Sequence, residues 1–296
     1  MAKLALGTVQ FGTDYGITNE RGQTPLDEVE AILELAARSG IDLLDTARLY
    51  GVSEAVLGKL LGNCHEPARF DIVTKTDQLR RDRVTDADVA QLRDGFRASL
   101  EALSRDSVYG LLVHHAPDLL AEGGAAIWEW LTEEKEQGTV TKIGYSVYGP
   151  EQLSELLENY EPDLVQLPTS VFDQQFDRSG LLDEVEERGV EVHVRSVFLQ
   201  GLVFQEPQEL PEYFAPVADT FERFHDDAHK LDLSPLEMAL AYPMQQDAID
   251  RLVVGVENPD QLSEIVAAAE ATPPDHVDWS RYDLEEERWT NPSHSP

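Results

Sequence analysis

The sequence predicts a single (β/α)8 TIM barrel, an α/β fold, and three observations carry the prediction. Eight short apolar runs with the character of strands alternate with segments of helical periodicity. Eight such units favour a closed parallel barrel over a doubly wound open sheet. The 296 residues match the usual length of one such barrel, and no linker-like segment divides them. We therefore predict one barrel domain over residues 1–296.

The predicted strands and helices alternate along the chain. The strands are Leu4–Thr8, Ile41–Asp45, Asp71–Lys75, Val108–His114, Lys142–Ser146, Leu164–Leu167, Glu191–Ser196 and Arg251–Gly255. The helices are Pro25–Ser39, Ser53–Leu61, Asp86–Ser104, Ala125–Gln137, Pro150–Asn159, Gly180–Arg188, Ser234–Met244 and Pro259–Ala271. A long loop is expected at about 197–216, after the seventh strand, and a short polar tail at about 273–296, with two tryptophans as anchors.

Several helix boundaries have a chemical signal. Thr24 is expected to cap the helix that begins at Pro25, and Pro150 and Pro259 stand at helix entries, where a missing N–H costs nothing. Gly40 follows the last turn of a helix, the position where a left-handed residue is common.

The charge of the chain is extreme, at −34, and its acidic residues are distributed along the whole sequence. Such a surface predicts adaptation to concentrated salt, where self-repulsion is screened. It disfavours nucleic acid as a partner. No run is long and apolar enough for a membrane span or a signal peptide, and the single cysteine, Cys64, fits a reducing compartment. We expect a cytoplasmic protein that is a monomer or a weak homo-oligomer.

Four polar residues stand at or just beyond strand ends: Asp45, Tyr50, Lys75 and one of the pair His114 and His115. In a parallel barrel all strand carboxyl ends open on one face, so these side chains should converge. An acid, a phenol, an amine and an imidazole together predict a site of proton transfer.

The chemistry of such a site can be worked out from ordinary pKa values. A phenol titrates near pH 10, and an ammonium about 4 Å away could lower this by up to about 3 units. Lys75 would supply that cation, Asp45 would keep it charged, and a neutral imidazole would orient a substrate carbonyl. Because no side chain supplies a hydride, carbonyl reduction here implies a nicotinamide cofactor.

The segment from Gly40 to Gly51, with Asp45-Thr46-Ala47 and Tyr50, resembles the signature of the aldo-keto reductases. The resemblance covers nearly the whole chain. It implies a TIM barrel, reduction of small aldehydes or ketones with NADP(H) or NAD(H), and catalytic roles for Asp45, Tyr50, Lys75 and a histidine. It also implies cofactor contacts from Gly7, Thr8, Ser146, Gln166, Arg195, Ser196, Phe198, Leu199, Gln200, Gly201, Gly255, Glu257 and Gln261. No metal site is expected.

Two points stay open within this resemblance. Strand register favours His114 as the catalytic histidine, whereas His115-Ala116-Pro117 is similar to the family's common His-x-Pro. The chain also departs from the family in having Val147 after Ser146 and Arg195 where many members stack an aromatic ring on the nicotinamide.

The third departure concerns the cofactor. Gly255 and Gln261 replace the basic residues that usually grip a 2′-phosphate, and Glu257 and Asp260 lie nearby. The usual preference for NADPH should therefore be weakened or reversed.

Two other functions are compatible with these residues: a Schiff-base lyase that uses Lys75, and a cofactor-sensing subunit with slow turnover.

Overall fold

Eight parallel strands close into a barrel in the computed structural model, which describes residues 3–17, 19, 21–63, 70–271 and 276–290. The strands are β1 Leu4–Gly7, β2 Leu43–Asp45, β3 Asp71–Lys75, β4 Val108–Val113, β5 Val140–Ser146, β6 Leu164–Pro168, β7 Glu191–Arg195 and β8 Arg251–Gly255. Neighbours in the barrel follow the order of the sequence, and β8 pairs with β1. This confirms the predicted TIM barrel.

Helices connect successive strands and cover the outside of the barrel. They are α1 Val9–Gly12, α2 Leu26–Arg38, α3 Ser53–Asn63, α4 Asp86–Leu103, α5 Pro117–Leu120, α6 Ala125–Gln137, α7 Pro150–Asn159, α8 Gln175–Arg178, α9 Leu181–Glu187, α10 Ala218–Lys230, α11 Pro235–Gln245, α12 Pro259–Ala269 and α13 Glu287–Thr290. In the described part of the chain, no helix has the length and apolarity to cross a bilayer.

The interior of the barrel is layered, and the layering positions the site. An inner apolar cluster is formed by inward-facing side chains such as Leu43 and Val73. Side chains two residues further along a strand face the same side, so Asp45 and Lys75 lie above this cluster at the carboxyl ends. Polar groups therefore collect at one mouth of the barrel, on an apolar floor.

The helix boundaries agree with the sequence signals at three positions and differ at one. Pro150 and Pro259 occupy first turns, and Gly40 has φ of +75° after α2. The expected cap by Thr24 is wrong, because the N-cap of α2 is Pro25 and makes no side-chain hydrogen bond. Thr24 is instead buried, with its N–H donating to the carbonyl oxygen of Gln10.

The segment after β7 is more ordered than a plain loop. Three short 3-10 helices, Leu199–Phe204, Pro207–Glu209 and Glu212–Val217, precede α10, a helix that the strand and helix predictions omitted. Together with the tail they form a second hydrophobic cluster, which includes Phe172, Leu199, Phe221, Phe224, Tyr282 and Trp289. The sequence pattern missed α10 because its apolar stripe is narrow and packs only against this cluster. Cys64 lies outside the described residues.

Candidate active site

A cavity of about 630 Å³ opens at the carboxyl ends of the strands. Its lining includes most of the residues predicted for the site, namely Asp45, Tyr50, His114, Gly7, Thr8, Ser146, Gln166, Arg195, Ser196, Phe198, Gln200, Gly201, Gly255, Glu257 and Gln261. Lys75 and Leu199 lie outside the lining. The barrel thus brings together residues that are up to 254 positions apart, from Gly7 to Gln261.

Lys75 lies directly behind the lining, where Asp45 holds its ammonium group. Its Nζ donates to the two carboxylate oxygens of Asp45 at 2.7 and 2.8 Å and to the carbonyl oxygen of Thr46 at 3.0 Å. The same atom is 3.5 Å from the phenol oxygen of Tyr50. Burial lowers the pKa of Lys75, and the carboxylate of Asp45 opposes this by stabilising the ammonium. The result is a buried ion pair in contact with a phenol.

The Tyr50 phenol is a weaker acid than the sequence argument predicted. Burial raises its pKa above the ordinary value, and the carboxylate of Asp45 raises it further. The predicted lowering by Lys75 is therefore wrong for the free protein, because burial and the Asp45 carboxylate raise the pKa of this phenol by more than the nearby Arg195 guanidinium lowers it. Tyr50 is accordingly protonated at neutral pH, the form that can donate a proton to a carbonyl oxygen.

The two histidines after β4 have different surroundings. His114 borders the cavity, and its ring meets the ring of Tyr50 edge-on with centroids 6.1 Å apart. His115 turns instead to the buried Asp118, with 3.0 Å between Nδ1 and a carboxylate oxygen. Burial lowers the pKa of His114 to about 3, with nearby cations contributing, so its imidazole is neutral. The geometry places His114 beside Tyr50, as strand register predicts; its catalytic role stays a prediction.

Gln166 provides the clearest test of whether a nicotinamide fits. Its Nε2 donates to Asp45 at 2.7 Å, whereas its Oε1 is buried and has no hydrogen-bond partner among the described residues. Ser146 lies beside it, paired in register on β5. A buried acceptor without a partner requires a donor. The carboxamide N–H₂ of a nicotinamide is a donor of the right kind, so these residues fit the cofactor.

The loop after β7 holds a strained backbone at the edge of the cavity. Ser196, Leu199 and Gln200 have φ of 61°, 47° and 55°, in the left-handed region that costs residues with side chains roughly 1–3 kcal/mol each. Such turns can direct successive N–H groups at an anion such as a pyrophosphate. The side chain of Leu199 is buried in the second hydrophobic cluster, so it anchors this loop and does not line the cavity.

The far end of the cavity is acidic. Glu257 and Glu264 border it, and the Oε1 of Gln261 accepts a hydrogen bond from the N–H of Glu257 at 2.8 Å. A Cβ added at Gly255 would lie 2.7 Å from the side chain of Gln10, so glycine leaves the space that a close backbone approach needs. Among the lining residues at this end, none is arginine or lysine.

Arg195 ends β7 and forms the opposite corner with two tyrosines. Its guanidinium carbon lies 4.3 Å from the ring centre of Tyr148, and Nη2 donates to the carbonyl oxygen of Val147 at 3.1 Å. Tyr15 borders the same corner. Sequence reasoning missed both tyrosines. Tyr148 follows the end of β5 and could have been found by the strand-end rule, whereas Tyr15 lies in a loop without such a signal.

The surroundings of Lys75 disfavour a Schiff-base lyase. Its amine is buried, makes three strong hydrogen bonds and does not border the cavity, so it is not placed to attack a carbonyl. No group of three candidate ligands within the described ranges could hold a metal ion.

Comparison with known proteins gives matches over nearly the whole chain. The model of the aldo/keto reductase family matches residues 3–283. The uncharacterized oxidoreductase YqkF of Bacillus subtilis is 25% identical over 289 residues, 92% of each chain. The NADH-specific methylglyoxal reductase of Escherichia coli is 26% identical over 277 residues, 81% of this chain and 82% of the other. The aldo-keto reductase AKR11C1 from Bacillus halodurans shares the fold, with a TM-score of 0.75 at 22% identity over 97% of this chain and 95% of its own.

The family match, the closed barrel and the buried Asp45–Lys75–Tyr50 unit at its mouth agree with one another. The chain belongs to the aldo/keto reductase family, and it is an NAD(P)-dependent oxidoreductase that reduces the carbonyl groups of aldehydes or ketones.

Proposed function

We propose that this oxidoreductase reduces small aldehydes or ketones with Tyr50 as the proton donor. The observation that carries the proposal is the phenol oxygen of Tyr50, which borders the cavity and lies 3.5 Å from the Lys75 ammonium. The raised pKa of Tyr50 keeps its proton in place until a stronger base forms beside it. The alkoxide that develops during carbonyl reduction is such a base.

Each side chain has a separate task in this scheme. When bound, the nicotinamide of NAD(P)H supplies a hydride to the carbonyl carbon. The O–H of Tyr50 donates its proton to the carbonyl oxygen, and the phenolate left behind is stabilised by the ammonium of Lys75. Asp45 keeps that ammonium charged and in place. The neutral imidazole of His114 can donate a hydrogen bond that orients the carbonyl.

The cofactor would lie along the cavity between two groups of residues. Ser146, Gln166 and Arg195 would hold its nicotinamide end, and Ser196, Phe198, Gln200 and Gly201 its pyrophosphate. Gly7 and Thr8 line the floor, and Gly255, Glu257 and Gln261 the adenosine end. Leu199 would act only through its backbone and its anchor in the second hydrophobic cluster.

The acidic adenosine end supports a preference for NADH. A 2′-phosphate there would face Glu257 and Glu264 without an arginine or lysine in the adjoining lining. A ribose 2′-hydroxyl, in contrast, can donate a hydrogen bond to a carboxylate. The similar reductase of Escherichia coli is described as NADH-specific, which supports the same preference here.

The experiment that tests the proton donor replaces Tyr50 with phenylalanine. Tyr50→Phe keeps the ring and removes the donor, so kcat should fall by roughly 10²–10⁴-fold. NADH binding, measured by fluorescence quenching, should change little. Tyr213→Phe is the matched control, because the hydroxyl of Tyr213 bonds only to the backbone of Arg288 at the surface. Near-normal turnover in Tyr50→Phe would eliminate Tyr50 as the donor.

A further inference from the structure

Tyr50 stands at the end of a short turn, residues 47–50, that follows β2. The N–H of Tyr50 donates to the carbonyl oxygen of Ala47 at 2.9 Å and closes the turn. Leu49, inside the turn, is 48% exposed, so its side chain does little to anchor the segment by packing. The phenol oxygen of Tyr50 is 3.5 Å from the ammonium of Lys75, near the upper limit for a hydrogen bond. A small displacement of the turn would therefore break this contact.

An ion pair joins this turn to the segment that carries Lys75. Arg48 lies two positions before Tyr50, and Asp77 lies two positions after Lys75. The Nε of Arg48 donates to Oδ2 of Asp77 at 3.1 Å. The pair thus spans the same gap between β2 and β3 as the contact between the phenol and the ammonium. Because both side chains are partly exposed, the pair contributes little to overall stability, and its main effect should be on the local geometry.

Gly95 of α4 leaves the space that this ion pair occupies. A Cβ added at Gly95 would lie 2.6 Å from Oδ2 of Asp77 and 3.4 Å from Nε of Arg48. The first distance is shorter than any van der Waals contact, so an alanine here would push the carboxylate of Asp77 away from its partner. Glycine is an unfavourable residue inside a helix, and the room it gives to the ion pair is a reason for its presence in α4.

The segments on either side of the turn are held by other hydrogen bonds. The hydroxyl of Thr74 donates to the buried carboxyl group of Glu54 at 2.6 Å, which ties α3 to β3. The hydroxyl of Ser53, at the start of α3, donates to the carbonyl oxygen of Thr8 at 2.9 Å. Loss of the Arg48 side chain should therefore leave α3 and β3 in place and shift only the turn between them.

We propose that Arg48 and Asp77 are positioning residues of the reaction, because their ion pair keeps the Tyr50 phenol within reach of the Lys75 ammonium. The proposal rests on the proposed function, in which the phenolate left by proton transfer is stabilised by that ammonium. Arg48, Asp77 and Gly95 are not among the described residues that line the cavity. They would therefore act through Tyr50, and not on the binding of NADH or of the carbonyl substrate.

The test uses three single variants, one double variant and a surface control. Arg48→Met keeps much of the side-chain stem and removes its charge and donors. Asp77→Ala removes the partner, Gly95→Ala adds the intruding Cβ, and the double variant combines the last two. Arg93→Met is the control, because Arg93 lies on the same helix and pairs with Glu133 at 2.9 Å on the surface. All are measured in the same molar KCl with glyceraldehyde, or with the best substrate of an aldehyde and ketone panel.

The expected signature is a loss in kcat alone. A displacement of about 1 Å at reacting groups can cost about 10²-fold, so Arg48→Met and Asp77→Ala should each lower kcat by about 5- to 50-fold. KM and NADH binding, the latter followed by fluorescence quenching, should change by less than about twofold. The solvent isotope effect on kcat in D₂O should increase, because proton transfer from a displaced phenol becomes the slow step. Arg93→Met should match wild type in every measurement.

Two double-variant comparisons separate positioning from stability. Gly95→Ala alone should lower kcat as Asp77→Ala does, but it should cost no further kcat once Asp77 is alanine, because the pair is already broken. In that background it should also raise the melting temperature, since alanine is the better helix former. Arg48→Met should likewise cause no further loss in a Tyr50→Phe background, where the group it positions no longer donates a proton.

The proposal is overturned by an unchanged kcat in folded Arg48→Met, or by an equal further loss when Arg48→Met is added to Tyr50→Phe. If Arg48→Met does not fold, additive losses from Gly95→Ala and Asp77→Ala would overturn it in the same way. The proposed function has its own failure, namely near-normal turnover of Tyr50→Phe or a wild type that binds NADH and reduces no carbonyl compound of the panel.

Discussion

The buried ion pair between Asp45 and Lys75 gives a prediction whose size follows from the geometry. Asp45→Asn removes the carboxylate but leaves the ammonium of Lys75 buried, with the carbonyl oxygen of Thr46 as its remaining close partner. Removing one member of a buried pair costs about 3–5 kcal/mol, because the other charge is left uncompensated. The entropy of unfolding is about 2.1 cal/mol/K per residue, or about 0.6 kcal/mol/K for 296 residues. The melting temperature should therefore fall by about 5–8 °C.

The control and the double variant decide whether the charge is responsible. Asp42→Asn removes a more exposed carboxylate that pairs with Arg251 at 3.2 Å, and such a pair is worth only about 0–1 kcal/mol. Asp45→Asn with Lys75→Met removes both buried charges, so it should be more stable than Asp45→Asn alone. Thermal unfolding by circular dichroism in molar KCl measures all three.

The pH dependence of the same variants adds an independent check. In Asp45→Asn the folded-state pKa of Lys75, already lowered by burial, loses the carboxylate that opposes this. The unfolded chain then binds more protons than the folded protein, so the stability of the variant should rise as pH increases towards the unfolded lysine value of about 10.4. The reasoning fails if Asp45→Asn melts like Asp42→Asn, or if the double variant is the least stable of the set.

Three further predictions concern the reaction. Replacing His114 by alanine should lower kcat/KM more than replacing His115, because only His114 borders the cavity; the reverse order would move the role to His115. Since the pKa of Tyr50 is raised, the reduction rate should be flat from about pH 6 to 9, and the reverse oxidation should increase with pH; a fall in reduction over this range would contradict a protonated donor. The charge of −34 predicts that the melting temperature rises with KCl concentration and that the preference for NADH over NADPH becomes smaller in molar salt. A melting temperature that does not change with KCl, or a strong preference for NADPH at every salt concentration, would refute the electrostatic argument.

The sequence determined the barrel and the position in it of the predicted catalytic residues, for a physical reason. Alternating strands and helices admit few closed arrangements, and parallel strands put all their carboxyl ends on one face. Asp45, Lys75 and His114 could therefore be assigned to one mouth from their positions alone. Six strands differ from the prediction by one or two residues at an end, since short apolar runs do not specify where pairing stops.

Only the tertiary structure decided the properties that depend on neighbours distant in sequence. The pKa of Tyr50 rises because burial and the Asp45 carboxylate raise it by more than the Arg195 guanidinium lowers it, and no spacing rule gives that balance. Thr24 is not a cap because it is buried and its N–H donates to the carbonyl oxygen of Gln10. Helix α10 packs its apolar side chains into the second hydrophobic cluster, whose other members are distant in sequence. The contacts of the Arg195 guanidinium with Val147 and the ring of Tyr148 are of the same kind, because they are a property of the folded surroundings and not of the segment around Arg195.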